Sequence, residues 1–388
     1  MMLPGFLRAV LEGAVVDYEL PLPAGLDRFG IGVIGAGFIV RDCHLPAYRE
    51  AGFRVAGITS RTRARASEVA EVRGVPRVYD SVEDLLADGD VCVVDIAVPP
   101  QEQPALIRRV VETGRHVRGI LAQKPLAMTL AEAAELVRIC REAGIALAVN
   151  QNMRHDHAVR ATKSLLAAGV LGEPVLATID MRAIPHWMPW SEGLRSLSTF
   201  IMSIHHLDCF RYWLGDPVRI MASTRPDPRT RFPHTDGVNL YILEFASGAR
   251  ASAWDDVWSG PVREGAGDDT RIEFRVEGTE GLAIGEIGWP RYPVRTPSTL
   301  RYSVRSGPEA GLWQQPQWDR AWFPDAFRGT MGELLLSLAT GMPSGLSGED
   351  NLRTVALVEA VYRSAREQRM INPAELLAEV GWGECPND

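Results

Sequence analysis

No CxxC pair, no long apolar run and no excess of basic charge occur in these 388 residues, and each absence closes off a class of protein. The five cysteines, Cys43, Cys92, Cys140, Cys209 and Cys385, are odd in number and far apart, which excludes a disulfide framework or a zinc knuckle and suits a reducing cytoplasm. No window approaches the roughly 18 apolar residues of a membrane helix. The opening "MMLPGFLRAVLEGAVVDYELPLPAG" lacks the basic start and continuous apolar core of a secretory signal, so residues 1–28 read as an N-terminal extension, a short helix and an extended arm. A net charge of -8, with basic residues scattered among acids, argues against a nucleic-acid partner. Internal repeats and low-complexity tracts are also missing. What is present is an ordinary globular composition, 46% hydrophobic and 23% charged, in a chain long enough for two or three domains.

From Phe29 onward, short apolar runs alternate with helical stretches. "GIGVIGAGF", "FRVAGITS", "VCVVDIAVPP", "RHVRGILAQKP" and "IALAVNQNM" are continuous rather than alternating, the pattern of parallel strands covered on both faces. This predicts an α/β fold with a doubly wound Rossmann domain over residues 29–150. Thr129 and Glu132 have capping-box spacing at the start of a helix that Gly144 ends. Residues 151–345 read differently: two helices, "AVRATKSLLAAGVLG" and "STFIMSIHHLDCFRYWLGDP", and a series of strand-like runs without intervening helices, including "GVNLYILEFASG", "RASAWDDVWSG" and "TRIEFRVEGTEG". Such a series predicts an α+β domain with a large, mainly antiparallel open sheet, which needs cover and so suits homo-oligomerisation. A late helix over 346–370, able to return to the first domain, precedes a tail at 371–388.

Gly35 and Gly37 stand where the first strand turns into a helix, so the backbone can approach a pyrophosphate that the helix N-terminus stabilises. Val40 replaces the third small residue of the usual fingerprint. At the end of the next strand, where an acid for the ribose hydroxyls marks NAD sites, the chain has Ser60 and Arg61. An arginine there suits a 2′-phosphate and favours NADP over NAD. Arg63 and Arg65 fit that role or a solvated helix start equally well.

The stretch "ILAQKPLAMTLAEAAELV", preceded by "VDIAVPPQEQPALIRRVVETGRHV" and followed by "VNQNMR" and "IHHLD", resembles the glucose-fructose oxidoreductase / inositol dehydrogenase / MocA family of NAD(P)-dependent sugar and polyol dehydrogenases. The resemblance implies hydride transfer between a carbohydrate or polyol hydroxyl and the nicotinamide, with Lys124 as base and His205 as proton relay. It also implies a cofactor site of Gly35, Gly37, Phe38, Ile39, Ser60, Arg61, Pro99, Gln123, Lys124, Pro125 and Asn152, substrate binding by the domain over residues 151–345, and a homodimer or homotetramer formed through the second-domain sheet. A lysine near a substrate hydroxyl makes chemical sense, because desolvation lowers its pKa toward neutrality. Candidates for the substrate cleft are Asn152, Arg154, Trp187, Trp190, Asp208 and Asp255, with Asn150, His186 and Asp256 beside them. Indole and amide groups suit sugars by stacking and hydrogen bonding. Two positions depart from the family pattern: Gln123 replaces a glutamate, and Ile201, one helical turn before His205, replaces an aspartate. Asp255 or Asp256 either supplies the missing carboxylate or closes a strand end. A metal site at "IHHLD" is disfavoured, since His206 points about 100° away from His205; His206 reads as a packing residue. Two other readings stay open: an oxidation, elimination and re-reduction enzyme with a tightly held nicotinamide, and a non-catalytic nucleotide- or sugar-binding protein.

Overall fold

The computed structural model describes residues 18–183, 189–191, 193–230, 233–258, 270–288 and 294–383. They form two compact units. One takes Leu20–Asn152, Pro324–Val355 and the chain end from Leu377; the other takes the described residues up to Glu19, Met153–Phe323 and Ala356–Leu376. Among the described residues no helix is long and apolar enough to cross a membrane.

The first unit is built on five parallel strands, β1 (Ile31–Ile34), β2 (Val55–Thr59), β3 (Val93–Ile96), β4 (Gly119–Ala122) and β5 (Ala146–Val149), in the order β2-β1-β3-β4-β5. Every residue of β1, β3 and β4 is buried, which is why these strands are apolar apart from Asp95 in β3. A parallel bridge from Ile58 to Val78 adds a rudimentary strand outside β2. Counting it, the order is the doubly wound 3-2-1-4-5-6, whose switch point lies between β1 and β3. Thr129 caps the helix Leu130–Glu142 by accepting from the Glu132 amide at 3.2 Å. The Glu132 carboxylate turns instead to Arg108, 3.2 Å away, so only half of the capping box forms.

The helix Ala326–Thr340 covers β4 and β5. Its approach is so close that a Cβ on Gly119 would lie 3.0 Å from Leu338 and 3.2 Å from Leu334. The outer edge of β5 is covered too: the Val149 amide donates to Leu346 at 2.8 Å and Ala148 bridges Ser347, just before the late helix Gly348–Glu367.

The second unit is built on β6 (Pro174–Arg182), β7 (Pro217–Arg225), β8 (Val238–Phe245), β9 (Arg250–Asp256), β10 (Arg271–Gly278), β11 (Gly281–Glu286) and β12 (Thr299–Val304). Their order is β12-β11-β10-β6-β9-β8-β7, antiparallel throughout except for the parallel pair β6/β9. Helices His157–Ala167 and Ile204–Leu214 pack on this sheet. In β8 the alternation is plain: Asn239, Tyr241 and Leu243 are buried while Leu240 and Ile242 are 51% and 50% exposed. Met221, paired across strands with Ile242, is exposed as well, so the sheet keeps an open apolar face.

Candidate active site

The turn after β1 has the geometry of a dinucleotide cradle. Gly35 takes φ 121°, and a Cβ there would sit 2.3 Å from the Ala97 carbonyl oxygen, so only glycine fits between β1 and the exit of β3. A Cβ on Gly37 would meet nothing within 4 Å, so its backbone faces open space. Phe38 and Ile39 begin the helix that follows, whose first turn, Ile39–His44, is π-helical, and Arg65 fixes the turn by donating to the Ala36 carbonyl at 3.0 Å. A glycine facing open space at a helix N-terminus fits a pyrophosphate. Ser60 and Arg61 lie at the end of β2. The Ser60 hydroxyl donates to Thr62 at 2.8 Å, and the 85% exposed Arg61 guanidinium reaches Glu102 at 3.0 Å. Pro99, half-buried, follows β3.

Lys124 sits immediately after β4, between Gln123 and a cis-bonded Pro125. Gln103 holds this exit loop. Its carbonyl oxygen accepts from the Gln123 amide at 2.6 Å, while its amide nitrogen lies 2.8 Å from the Gln123 carbonyl, 3.1 Å from that of Pro125 and 3.0 Å from that of Leu126. Desolvation pulls the Lys124 ammonium down to about 7. The residue as a whole is only half-buried, and the downward direction is what the chemistry needs. Asn150 and Asn152 follow β5, both buried.

In the other unit, the helix Ile204–Leu214 is preceded by a second π-helical turn, Thr199–Ser203, which contains Ile201. Such turns recur at functional sites. His205 is 2% exposed and meets Trp322 edge-on, ring centroids 5.2 Å apart. Asp208 is gripped by Arg154 through two charge-assisted bonds of 2.6 and 2.7 Å, with Arg211 3.7 Å away. Asp255 is fully buried: it accepts from the Ser203 hydroxyl and lies 2.9 Å from Nδ1 of His206, itself fully buried. Asp256 pairs with Arg229 at 2.7 Å, and that guanidinium stacks over Trp258 at 4.4 Å. Trp190 is half-buried in the short 3-10 turn Pro189–Ser191. His186, Trp187 and Cys385 lie outside the described residues.

Sequence reasoning brought Gly35, Gly37 and the Gln123–Pro125 loop to their places at the carboxyl ends of β1 and β4. It paired no partner with Asp208 other than His205, whereas the carboxylate is held by Arg154. It passed over Gln103 and His44. A buried glutamine in a helical first turn has no sequence signature, but the acidic Asp95 inside an apolar strand was a visible irregularity, and His44 is its partner at 2.6 Å.

Comparison with known proteins agrees over nearly the whole chain. A model of an oxidoreductase family with an NAD-binding Rossmann fold matches residues 29–151, and one of that family's C-terminal alpha/beta domain matches residues 163–376. The D-apiose dehydrogenase of Rhizobium rhizogenes is 30% identical over 352 residues, covering 89% of this chain and 97% of that protein. The 1,5-anhydro-D-fructose reductase of Ensifer adhaerens is 32% identical over 276 residues, covering 70% and 79%. The solved structure of an oxidoreductase from Agrobacterium radiobacter in complex with NAD+, L-tartaric acid and magnesium superposes with a TM-score of 0.76 at 26% identity, covering 90% of this chain and 100% of that one.

Proposed function

The chain belongs to the glucose-fructose oxidoreductase / inositol dehydrogenase / MocA family of oxidoreductases, and from that premise we propose that it catalyses reversible hydride transfer between a carbohydrate or polyol hydroxyl and NAD(P). The observation that carries the reading is Lys124, a lysine lowered to about 7 at the carboxyl end of a parallel strand in the unit that holds the dinucleotide cradle. A bound nicotinamide would supply the hydride acceptor or donor. Lys124, as the neutral amine, takes the hydroxyl proton in oxidation and returns it in reduction; His205 passes that proton on. Gly35, Gly37, Phe38 and Ile39 would hold the pyrophosphate, and Pro99, Gln123, Lys124, Pro125 and Asn152 the nicotinamide end. Arg154, Asp208, Trp187, Trp190 and Asp255 are retained as substrate-side residues, with Asp208 and Asp255 acting through the partners that hold them. A lysine with a normal pKa would suit a non-catalytic binding protein better. The pH profile tests the assignment: oxidation should rise from acid and level off above about pH 7, since the base must lose its proton first. A profile without an acidic limb near neutrality would remove Lys124 from the role.

NADP is the favoured cofactor. Arg61 is exposed, and its ion pair with Glu102 is of the weak surface kind that a 2′-phosphate can displace. Arg61→Ala should therefore weaken NADP binding roughly tenfold or more, the scale of a hydrogen bond to a charged group, and leave NAD binding nearly unchanged. Titration calorimetry with both cofactors checks this; equal losses would show that Arg61 does not read the phosphate.

The open face of the second sheet is the surface proposed for a homodimer or homotetramer. Met221 is paired across strands with Ile242, and Leu240 with Trp254, which makes a continuous apolar patch. Ile242→Glu should dissociate the oligomer in light scattering without changing secondary structure. An unaltered mass would place the interface elsewhere. The described cysteines, Cys43, Cys92, Cys140 and Cys209, are free thiols, which supports the proposal of a reducing compartment such as the cytoplasm.

A further inference from the structure

The helix that follows the glycine turn carries a histidine that the chemistry above does not use. His44 is fully buried and closes the π-helical turn Ile39–His44. Its Nδ1 lies 2.6 Å from Oδ2 of Asp95, an acid inside β3 that is also fully buried and also accepts from the Tyr48 hydroxyl at 2.9 Å. Its Nε2 lies 3.1 Å from the amide nitrogen of Gln123 and 3.0 Å from that of Asn150. The Phe327 ring covers it, centroids 5.0 Å apart. Among these neighbours Asp95 alone is charged.

The donor inventory fixes the imidazole's state. A carboxylate can only accept, so Nδ1 carries a proton; an amide nitrogen can only donate, so Nε2 presents its lone pair. One neutral ring thus ties the helix after β1 to Asp95 inside β3 and to the residues that follow β4 and β5. The side chain of Gln123 is held by His44 while its backbone is held by Gln103, and Lys124 is the next residue.

We propose that His44 is a positioning residue for Lys124: in its neutral Nδ1–H form it accepts from Gln123 and Asn150 and so fixes the strand ends from which Lys124 and Asn152 project. The inference rests on Lys124 being the base, but part of its test does not.

Two substitutions separate the ring's halves. Asn at position 44 keeps a donor near Nδ1 for Asp95 and loses the acceptor at Nε2; Gln keeps an acceptor near Nε2 and loses the donor. Positioning through Gln123 then predicts a crossover. His44→Asn should melt near the wild type yet lose about ten- to a hundredfold in kcat, the cost of a reacting group displaced by about an ångström. Its acidic limb should also move to higher pH as the Lys124 loop relaxes toward water. His44→Gln should melt lower, with the buried Asp95 left to Tyr48, yet keep kcat within about fivefold. A role in packing alone predicts losses that follow the folded fraction in both variants, with an unmoved acidic limb, and that result would overturn the proposal. Independently of activity, long-range nitrogen–proton NMR on ring-labelled wild-type protein should show His44 as the neutral Nδ1–H tautomer, identified by its loss in His44→Gln. A proton on Nε2 would also overturn it. If Lys124 is not the base, Lys124→Met stays active while the tautomer result stands, so the two failures are distinguishable.

Discussion

Lys124→Met is expected to lower turnover by a factor of about 10² to 10⁴, the span of a positioned general base, while leaving NAD(P) affinity close to that of the wild type. Methionine keeps the length and apolar stem of lysine and removes only the titrating nitrogen, so the cradle at Gly35 and Gly37 is untouched. The same substitution should change stability in a pH-dependent way. Lys124 is lowered in the folded protein to about 7 from 10.5. Between those values the unfolded chain binds the proton and the folded one does not, so stability from this group rises with pH across that window. The penalty for burying the amine is therefore largest at and below neutral pH. Lys124→Met should raise the melting temperature there, with the advantage fading above about pH 10. A slow variant that is more stable at neutral pH is the signature of a functional buried lysine. A variant that is both active and less stable would mark Lys124 as a packing residue of the β4 exit.

His205→Ala is expected to cut turnover by a factor of hundreds or more, again with cofactor affinity preserved. The rival outcome is structural: a ring that is 2% exposed and edge-on to Trp322 contributes packing, and its removal leaves a cavity. Activity per folded molecule separates the two. If the loss persists after correction for the folded fraction, and added imidazole restores part of the rate, His205 handles a proton. Should activity per folded molecule match the wild type, the histidine belongs to the core.

How far the fold could be read from the chain depended on how local its determinants were. The five parallel strands were legible because strands buried on both faces are apolar at nearly every position, and the second sheet because its strand-like runs follow one another without intervening helices. The helix Ala326–Thr340 left no such trace. Phe327, Gly329, Thr330, Met331, Gly332 and Leu335 are buried around most of its circumference, which erases an amphipathic period, and its partner Gly119 lies some two hundred residues earlier. The parallel pairing of β6 with β9 was equally hidden, since nothing in either strand names a partner across two intervening strands.

Site residues divide in the same way. Lys124 and the glycine turn were visible as motifs because backbone geometry and chemistry demand particular residues there. Asp208 was visible as a residue at i+3 from His205, but helical spacing cannot tell which cation captures a carboxylate, and Arg154 does so from the turn Asn152–His155. Asp255 likewise meets Ser203 and His206 through the pairing of sheet and helix, which no spacing within β9 encodes.

The most direct measurement of the central claim is absorbance of the reduced nicotinamide during incubation of the purified protein with NAD or NADP and a panel of sugars, polyols and glycosides, run in parallel with Lys124→Met. A hydride-transferring sugar or polyol oxidoreductase should give net reduction of added cofactor with at least one member of the panel, lost in Lys124→Met. Tight nucleotide binding without net reduction by any member, equal in the two proteins, would contradict it.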